Sequence, residues 1–443
     1  MKRANLMFAC AIGGSLEWYD FFIFATCSVL VFPKLFFVVS NPLTSMLLSL
    51  ATFAVAFLAR PLGGIVFGAI GDRIGRRKTL IISLLLMGTS TFLVGLVPGY
   101  ASIGIAAPIL LVLLRIMQGL AVSGETAGSI LMIAESMPRK QRGFWTSFAL
   151  ANGPLAIVFS AFVINFIQHL FGTDAFATWA WRIPFLLSSL LMLVGYWTRR
   201  KVEESAAFAE LVAARKTAER AVLREAVQGY WRPMIRAFFL KAAENTFLYV
   251  FSTFLIAFAT TWLKFSRPQA LSALMWGSAC EVVVIILMGL LSDYVGRRPV
   301  MLFGLIGAGI ASFKLFTLPP GAPYLHLQLA LLACLICDGA ILGPMASYLA
   351  ELFPTRVRFT ALSSSYQLAS VLGGAIAPIV GTLLLRFTGE PINVAIYAMA
   401  MALPAIVSVF FSRESRGSPF SVAHELEQEG HDSAHLPVRR AGI

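Results

Sequence analysis

The chain has 443 residues, of which 58% are hydrophobic and 13% are charged, and its mean hydropathy is +0.80. Soluble domains carry about a quarter charged residues, so this composition excludes an ordinary soluble protein and predicts repeated spans of about twenty apolar residues. A net charge of +13 would favour nucleic-acid binding in a soluble protein. Here the basic residues concentrate in short loops on one side of the predicted spans, which indicates membrane orientation, and no nucleic-acid partner is expected.

Apolar runs separated by short polar breaks predict an all-α membrane protein with twelve transmembrane helices, because only helices satisfy every backbone group within such segments. The first helix follows a basic start that has no small-residue cleavage site, so we expect this helix to be retained. The predicted spans, in chain order, are 6–32, 44–70, 79–97, 107–135, 144–171, 180–199, 236–263, 269–291, 299–318, 325–351, 361–386 and 391–412.

The polar segments divide the chain into four parts. We predict a six-helix bundle over 1–199, a charged helical linker over 200–235, a second six-helix bundle over 236–412 and a disordered tail over 413–443. Most arginines and lysines, including Arg199 at the end of the sixth helix, fall in one set of loops. The opposite loops hold Lys34, Lys264, Arg267 and Arg386. The positive-inside rule therefore predicts that the linker, the tail and both termini are cytoplasmic.

The five cysteines all lie within apolar segments, which is typical of small core residues and not of a disulfide framework. Cys334 and Cys337 have the spacing of a metal or redox site, but no second pair accompanies them. We therefore expect no metal site.

Two motifs recur at nearly equal offsets along the chain. "GAIGDRIGRRKTL" (68–80) returns as "GLLSDYVGRRPVML" (289–302), and "AESMPRKQR" (134–142) returns as "AELFPTRVR" (350–358). The first motif follows the second helix of each half, and the second motif follows the fourth helix. Two copies of a six-helix unit are typical of a transporter whose central site lies at the repeat interface.

The same segments carry a family resemblance. "GDRIGRRK" and "RIMQG" resemble the major facilitator superfamily, and "EWYDFFIF", "LRIMQGLAVSGE", "WRIPFLLS" and "EESAAF" are similar to its metabolite:H+ symporter family. The resemblance implies two pseudo-symmetric six-helix bundles, alternating access and proton-coupled import of a small metabolite across a bacterial inner membrane. It also implies a monomer without enzymatic activity and without a cofactor, driven by the proton gradient. Similar members move organic acids such as shikimate, oxoglutarate and citrate, or zwitterions such as proline and betaine.

The repeated "GDRIGRRK" motif predicts a gate on the cytoplasmic side. Glycines allow a neighbouring helix to approach, and Asp72 is expected to accept hydrogen bonds from a facing helix N-terminus or an arginine. Positive-inside topology alone would explain the basic residues, but not Asp72 or the glycines. Ser292 replaces one glycine in the second copy, which predicts looser packing there. The gate candidates are Gly68, Gly71, Asp72, Arg73, Gly75, Arg76, Arg77, Asp293, Gly296, Arg297 and Arg298.

Several ionisable residues lie inside the predicted spans, many of them about 15–21 Å from the helix ends at 1.5 Å per residue and Glu244 nearer the cytoplasmic side, and such residues mark ion or substrate paths by default. The proton-coupling candidates are Glu17, Asp20, Glu125, Glu244 and Asp338. The substrate-binding candidates are Tyr19, Arg60, Arg115, Gln118, Lys241 and Asn245. Glu17 and Asp20 share a helix face, and we expect them to cluster with Arg60. Glu281 is also central, but the sequence assigns it no role. Structural ion pairs without a transport role are the alternative for all of these residues.

This inventory supports a coupling hypothesis. Burial disfavours the charged form of an acid and a neighbouring cation favours it, so an anionic substrate that claims the cation makes the acid bind a proton. We expect a carboxylate substrate held by Arg60, Arg115 or Lys241. A zwitterionic osmolyte is the first alternative, although residues 413–443 lack the coiled-coil repeat of osmosensing relatives. A nutrient sensor, a channel and a membrane enzyme are less consistent with the short polar segments, the paired gates and the missing catalytic motifs. The sequence also lacks GxxxxGK[ST], so ATP is not the expected energy source.

Overall fold

The computed structural model describes residues 3–38, 41–205, 208–209 and 222–420. Its first half is built from long apolar helices joined by short connections. Their bounds are α1 Arg3–Leu30, α2 Pro42–Ile74, α3 Arg76–Leu96, α4 Ala106–Ser136, α5 Arg142–Phe171 and α6 Arg182–Arg200. The connections contain the short helical turns Phe32–Leu35, Tyr100–Ile103, Arg139–Gln141, Thr173–Ala175 and Phe176–Ala180.

The second half repeats this pattern, with π-helical turns inside two of its helices. Helix α7 consists of Val222–Tyr249, the π turn Val250–Phe254 and Leu255–Thr261, and α11 consists of Arg358–Ser370, the π turn Val371–Ile376 and Ala377–Thr388. The remaining helices are α8 Arg267–Val295, α9 Arg297–Phe316, α10 Tyr324–Glu351 and α12 Ile392–Phe410.

Within the described ranges, ten helices are long and apolar enough to cross a membrane on their own. An eleventh span results if Thr173–Ala180 and Arg182–Arg200, which are bent by 62°, count as one. With the 28-residue α1, the long helices match the twelve predicted spans. Helix α7 begins earlier than predicted, at Val222, with non-helical backbone at Tyr230 (φ −127°), so part of the predicted linker is a helical arm.

The helices pack as two bundles that have the same internal pairing. In the first bundle α1 packs on α5 and α6, α4 packs on α2 and α3, and α3 packs on α6. In the second bundle α7 packs on α11 and α12, α10 packs on α8 and α9, and α9 packs on α12. The bundles meet where α2 contacts α11 and where α5 contacts α8 and α10. The predicted pair of pseudo-symmetric six-helix bundles is therefore confirmed.

Small residues set the close crossings inside each bundle, because lipid gives little hydrophobic drive for helix association. A Cβ added at Gly63 of α2 would lie 2.4 Å from the carbonyl oxygen of Leu120, and one at Gly119 of α4 would lie 2.3 Å from that of Ala56. Some large apolar side chains face outward, as Leu58 does with 63% of its surface exposed. The bundle interiors combine glycines and buried polar side chains with packed clusters of leucine, phenylalanine and other large apolar side chains.

Candidate functional site

The loops around residues 73–78, 139–142, 297–298 and 356–358 form one end of the molecule, here called the basic face. At this face Asp72 of α2 accepts hydrogen bonds from the backbone N–H groups of Phe359 (3.2 Å) and Thr360 (2.9 Å), at the first turn of α11. Arg76 donates to the same carboxylate over 3.3 Å. A Cβ at Gly68 would lie only 2.8 Å from the Cα of Thr360. The contact predicted for Asp72 is present, and its role as a gate stays a prediction.

The second copy of the motif makes the same contact between α8 and α5. Asp293 accepts from the backbone N–H groups of Gly143 (2.9 Å) and Phe144 (2.8 Å), and Arg297 donates to it over 2.6 Å. These distances are no longer than those in the first copy. The prediction of looser packing in the second copy is therefore wrong.

The reason is an exchange of small and large residues across the interface. In the first copy Gly71 faces the ring of Phe359, and a Cβ at Gly71 would lie 2.3 Å from the Cδ2 atom of that ring. In the second copy Ser292 replaces the glycine, but the facing residue is now Gly143, whose added Cβ would lie 2.5 Å from the Ser292 Oγ. At this pair of positions each copy thus has one glycine, on α2 in the first copy and on α5 in the second.

Two glutamates at the ends of α4 and α10 link the bundles at the basic face. Arg358 of the second bundle donates to Glu135 of the first over 3.0 Å. In the mirrored arrangement Arg142 of the first bundle lies 3.7 Å from Glu351 of the second. The motif "AESMPRKQR" supplies one member of each pair and "AELFPTRVR" supplies the other. The two repeats therefore bind each other's residues across the interface.

Glycine is required at the start of α3 and α9. Gly75 and Gly296 have φ angles of 101° and 107°, which L side chains rarely adopt. The first backbone N–H groups of α3 donate to Glu204, and those of α9 donate to Glu414. An added Cβ at Gly75 would lie 2.2 Å from the Glu204 carboxylate, and one at Gly296 would lie 2.7 Å from that of Glu414. Both glycines thus provide the turn and the space for an acidic cap.

The remaining gate candidates lie at the edge of this network. Arg77 donates to the carbonyl oxygen of Arg200 over 2.6 Å, and Arg298 donates to that of Val409 over 3.1 Å. Arg73 is exposed. Arg77 and Arg298 therefore tie helix ends within their own bundles, while Asp72 and Asp293 cross between bundles.

The segment that follows α12 packs on the basic face, so the predicted disorder does not hold for residues 413–420. Ser415 donates to Glu351 over 2.8 Å, and Arg142 donates to the carbonyl oxygen of Ser418 over 2.6 Å. The ring of Phe420 lies 3.5 Å from the Arg142 guanidinium and 3.9 Å from that of Arg358. Residues 421–443 lie outside the described residues, so the prediction for them stands untested.

A narrow cavity lies between the bundles, deeper than the basic face. The lining combines three acids, a cation and aromatic rings, contributed by α1, α4, α7 and α11; these side chains are Glu17, Trp18, Glu125, Lys241, Glu244 and Tyr366. The sequence predicted four of the six as candidate site residues, namely Glu17, Glu125, Lys241 and Glu244.

Lys241 is the one cation among the described residues that line the cavity. It forms an ion pair with Glu244, one turn later on α7, and its Nζ lies 4.4 Å from the centre of the Tyr366 ring. Both charged side chains are almost completely buried. Because this ion pair also lines the cavity, a molecule in the cavity can contact either the ammonium group of Lys241 or the carboxylate of Glu244.

Glu17 lies in the same cavity without a cation partner. Its carboxylate accepts hydrogen bonds of 3.1 and 2.9 Å from the Thr126 hydroxyl, and it makes no ion pair with any described residue. Glu125, by contrast, is held by Arg199 of α6 and accepts from Ser129 over 3.1 Å. The two acids of the first bundle therefore have different electrostatic surroundings.

Sequence reasoning missed Arg199, which it assigned to a basic loop. The side chain is 2% exposed and donates to Glu125 and to the carbonyl oxygen of Leu80 (2.8 Å). Its helix buries Ser188 and Gly195 as well, which precede Arg199 by eleven and four residues. This helical spacing was the available signal, because it places Arg199 on the buried stripe of α6 and the adjacent Arg200 on the exposed side.

Asp20 lies behind the cavity, inside the first bundle, and forms an ion pair with Arg115 at 3.1 Å. Gln118 donates to Asp20 over 2.8 Å and to Thr91 over 2.9 Å, and it accepts from Arg115 over 3.0 Å. The Arg115 guanidinium also lies 3.9 Å from the Phe24 ring. These three predicted residues thus form one buried network that does not line the cavity.

Of the predicted cluster of Glu17 and Asp20 with Arg60, only the approach of Arg60 to Glu17 is present, as an electrostatic interaction without an ion pair, whereas Asp20 pairs with Arg115. The Arg60 guanidinium lies 4.4 Å from the Phe57 ring and 5.9 Å from the Phe21 ring, and it makes no ion pair within the described part of the chain. The aromatic faces of α1 and α2 thus take the place of the expected carboxylate.

The last three candidates lie in helix contacts and not in the lining. Tyr19 donates to the carbonyl oxygen of Pro184 over 3.1 Å, between α1 and α6. Asn245 packs against Gly373 of α11, where an added Cβ would lie 2.4 Å from the Asn245 Cβ. Asp338 is buried on α10. The functional roles given to these residues stay predictions.

The comparisons with known proteins agree with this architecture. Residues 6–238 match the family model "Sugar (and other) transporter", and residues 244–440 match the model "Major Facilitator Superfamily". The chain belongs to the major facilitator superfamily. This major facilitator protein is a multi-pass membrane transporter and not an enzyme.

Several curated relatives cover nearly the whole of this major facilitator protein. It is 38% identical to the inner membrane metabolite transport protein YhjE of Escherichia coli, over 94% of this chain and 95% of that one. It is 33% identical to the glycine betaine/proline/ectoine/pipecolic acid transporter OusA of Dickeya dadantii, over 96% and 88%. It is 31% identical to the shikimate transporter of E. coli, over 91% and 93%.

Solved structures share the fold of this major facilitator protein. A double-tryptophan mutant of XylE matches with a TM-score of 0.80 and 20% identity, over 96% of this chain and 98% of that one. The proton:xylose symporter XylE bound to 6-bromo-6-deoxy-D-glucose matches with a TM-score of 0.78 and 19% identity, over the same shares.

Proposed function

We propose that this transporter imports a small carboxylate-bearing metabolite together with a proton by alternating access. The observation that carries the proposal is the Lys241–Glu244 ion pair in the cavity wall. Lys241 is the cation that a substrate carboxylate reaches from the cavity, whereas Arg60 and Arg115 lie outside the lining. Of the three cations expected to hold the substrate carboxylate, we therefore retain Lys241 alone.

Coupling follows from competition for Lys241. When the substrate carboxylate binds Lys241, Glu244 loses its counter-charge in a buried site, where an isolated carboxylate is disfavoured. Glu244 then takes up a proton, so that substrate and proton load together. When the proton leaves, Glu244 binds Lys241 again and expels the substrate carboxylate. The proton gradient supplies the energy, and no cofactor takes part in the cycle.

Asp20 and Glu125 remain proton-coupling candidates on the same logic. Each carboxylate is held by one arginine inside the first bundle, Asp20 by Arg115 and Glu125 by Arg199. Glu125 also lines the cavity, so a substrate that reaches Arg199 would release it in the same way. Asp20 has no such access in this conformation, because its network lies behind the cavity wall.

We assign the basic face to the cytoplasm and its network to the closed inner gate, with both termini on that side. The concentration of arginine and lysine on this face supports the orientation. The inner membrane location of the relative YhjE supports a bacterial inner membrane. One chain contains the whole cavity and both gate copies, so we propose that the monomer is the transporting unit.

A zwitterionic substrate is the second candidate, favoured by Glu17. This acid forms no ion pair with a described residue and stands beside Trp18 in a cavity that also contains Lys241. A quaternary or secondary ammonium would bind Glu17 and the Trp18 ring, while its carboxylate binds Lys241. Relatives named for betaine and proline transport support this arrangement.

Uptake into proteoliposomes tests the function. Labelled shikimate, oxoglutarate, citrate, proline and glycine betaine are offered with and without an imposed pH gradient. We expect one of the carboxylates to accumulate, with about a tenfold gain per pH unit for one proton per substrate. Lys241→Ala should abolish binding of that substrate, and Lys34→Ala, an exposed lysine on the opposite face, should not. Uptake that ignores both the gradient and an uncoupler would refute symport.

A membrane potential separates the two substrate classes. A zwitterion that moves with a proton carries one net charge, so a potassium diffusion potential drives it by about 2.3 kcal/mol per 100 mV. A monocarboxylate that moves with one proton carries no net charge and does not respond. An inside-negative potential therefore drives the zwitterion, leaves the monocarboxylate unaffected and opposes a di- or tricarboxylate that moves with one proton.

A further inference from the structure

Helices α8 and α10 of the second bundle enclose two acids at the middle of their length. Glu281 is 1% exposed and Asp338 is 0% exposed. Glycines close the helix contact beside them: an added Cβ at Gly277 would lie 2.6 Å from a leucine of α10, and one at Gly339 would lie 2.8 Å from a valine of α8. The two acids are therefore enclosed by packed side chains on both sides.

The described residues provide neither acid with a compensating donor. Both carboxylate oxygens of Asp338 and Oε1 of Glu281 accept no hydrogen bond from a described residue, and neither acid forms an ion pair with one. Ser278 lies one turn before Glu281 on the same buried stripe of α8, and its hydroxyl is also without a partner. The Ser278 Oγ is therefore a fourth buried oxygen in this region that lacks a hydrogen-bonding partner among the described residues.

The two carboxyl groups lie within hydrogen-bonding reach of each other. Two ionised carboxylates can only accept hydrogen bonds, and two like charges in contact disfavour double ionisation in a buried site. A proton on one carboxyl removes both difficulties, because its O–H then donates to the other carboxylate. We propose that Glu281 and Asp338 hold one proton between them and form a proton-binding site of the second bundle.

The other charged and titratable groups around the pair do not replace this proton. From α7 the pair faces Glu244, which adds negative charge, and Lys241, which is already bound to Glu244. On α10 itself the neighbours are Cys334 and Cys337, whose thiols carry no positive charge. The pair thus has no cation of its own. Loading transfers one proton from water to the pair and leaves it with a single negative charge.

The pair lies one helical turn behind the cavity wall. Leu342 is four residues after Asp338 on α10 and lines the cavity together with Lys241 and Glu244. A proton that enters the cavity therefore needs to pass one turn of α10 to reach the pair. Participation of this proton in the transport cycle rests on the proposed function, whereas its binding by Glu281 and Asp338 does not.

Infrared difference spectroscopy of the purified full-length protein in lipid nanodiscs tests the proton directly. At neutral pH we expect a carbonyl stretching band of a protonated carboxylic acid that shifts in D2O. Asp338→Asn and Glu281→Gln should each remove this band, whereas Asp174→Asn, an exposed acid on the opposite face, should leave it. A wild type without the band, or a band that survives in both folded variants, overturns the proposal. The wild-type measurement needs no variant, so poor folding of either variant does not remove the test.

Sodium is the competing ligand, because carboxyl and hydroxyl oxygens also suit a hard cation. Thermal unfolding in sodium chloride is compared with choline chloride. We expect equal unfolding temperatures, and a sodium-specific increase that is lost in Asp338→Asn would overturn the proton assignment. Neither measurement uses a substrate. A band that is present in the wild type and lost in the two variants, together with wild-type uptake that ignores the pH gradient, would therefore uphold this site and reject the proposed symport.

Discussion

Glu135 at the end of α4 binds Arg358 at the start of α11, and the two side chains are 3.0 Å apart. Arg76 lies 3.3 Å from the same carboxylate. Glu135→Gln removes the charge but keeps the shape, leaving two buried guanidinium groups without full compensation. Breaking a buried ion pair costs about 3–5 kcal/mol, so we expect the basic face to open. Spin labels at Lys140 and Tyr294 should move apart in the variant. Glu203→Gln, on the same face but exposed, should keep the wild-type distance.

The glycine exchange at the gate predicts a rescue. Gly71→Ser places a side chain against the Phe359 ring, where even a Cβ would be 2.3 Å away, and we expect the α2–α11 contact to open. Adding Phe359→Gly reproduces the arrangement of Ser292 and Gly143 in the second copy. The double variant should therefore be less impaired in gate closure than Gly71→Ser alone, which is a non-additive effect between contacting residues. Label distances across α2 and α11 measure closure. Additive impairment would show that the two copies are not interchangeable.

Glu244→Gln tests whether this acid carries the coupling proton. The amide mimics the protonated acid and cannot release a proton, so exchange of labelled for unlabelled substrate should persist. Accumulation driven by a pH gradient should fall from about tenfold per pH unit to simple equilibration. Counterflow and gradient-driven uptake in the same proteoliposomes separate these two activities. If the variant still accumulates substrate, the coupling proton is assigned to Asp20, Glu125 or the Glu281–Asp338 pair instead.

Arg199 and Arg200 are adjacent in sequence but differ in burial, so they provide matched variants for a measurement of stability. Arg199→Ala leaves Glu125 buried without its counter-charge, so we expect a loss of about 3–5 kcal/mol in the free energy of unfolding. Arg200→Ala changes an exposed residue and should shift it by less than about 0.5 kcal/mol. Replacing Glu125 by Gln in the Arg199→Ala background should recover part of the loss. Unfolding in detergent, followed by fluorescence, measures all three, and equal effects of the two alanine variants would contradict the burial of Arg199.

Truncation tests the packed residues 413–420 separately from the rest of the tail. Removal of residues 413–443 deletes the Glu414 cap and the Phe420 ring that lies on Arg142 and Arg358, so the basic face should open more often. Removal of 421–443 alone leaves these contacts in place and should have no such effect. Labels at Lys140 and Tyr294 report the opening. Identical distances in both truncated proteins would mean that the segment 413–420 does not hold the gate.

The sequence predicts helices and repeats well, because both follow from local patterns. Apolar length predicts the spans, and the duplicated motifs predict the two bundles and the contact of Asp72. Ion pairing inside the bundles is different, since it depends on how each helix is rotated about its axis. Arg60 and Arg115 both lie deep in the membrane-spanning region, and depth alone cannot decide which of them meets Asp20. Packing decides: Arg115 faces Asp20 across the α1–α4 contact, while Arg60 lies on aromatic rings.

The mutual exchange of residues between the repeats would make the proposed gate cooperative. Glu135 depends on an arginine of the second repeat, and Glu351 depends on an arginine of the first. A tilt of one bundle that separates the first pair also pulls on the second, so intermediate positions lose both contacts without gaining others. We therefore expect opening to be close to all-or-none. A substitution in either repeat affects contacts of both, so we expect the two copies of the duplicated unit to change together in evolution.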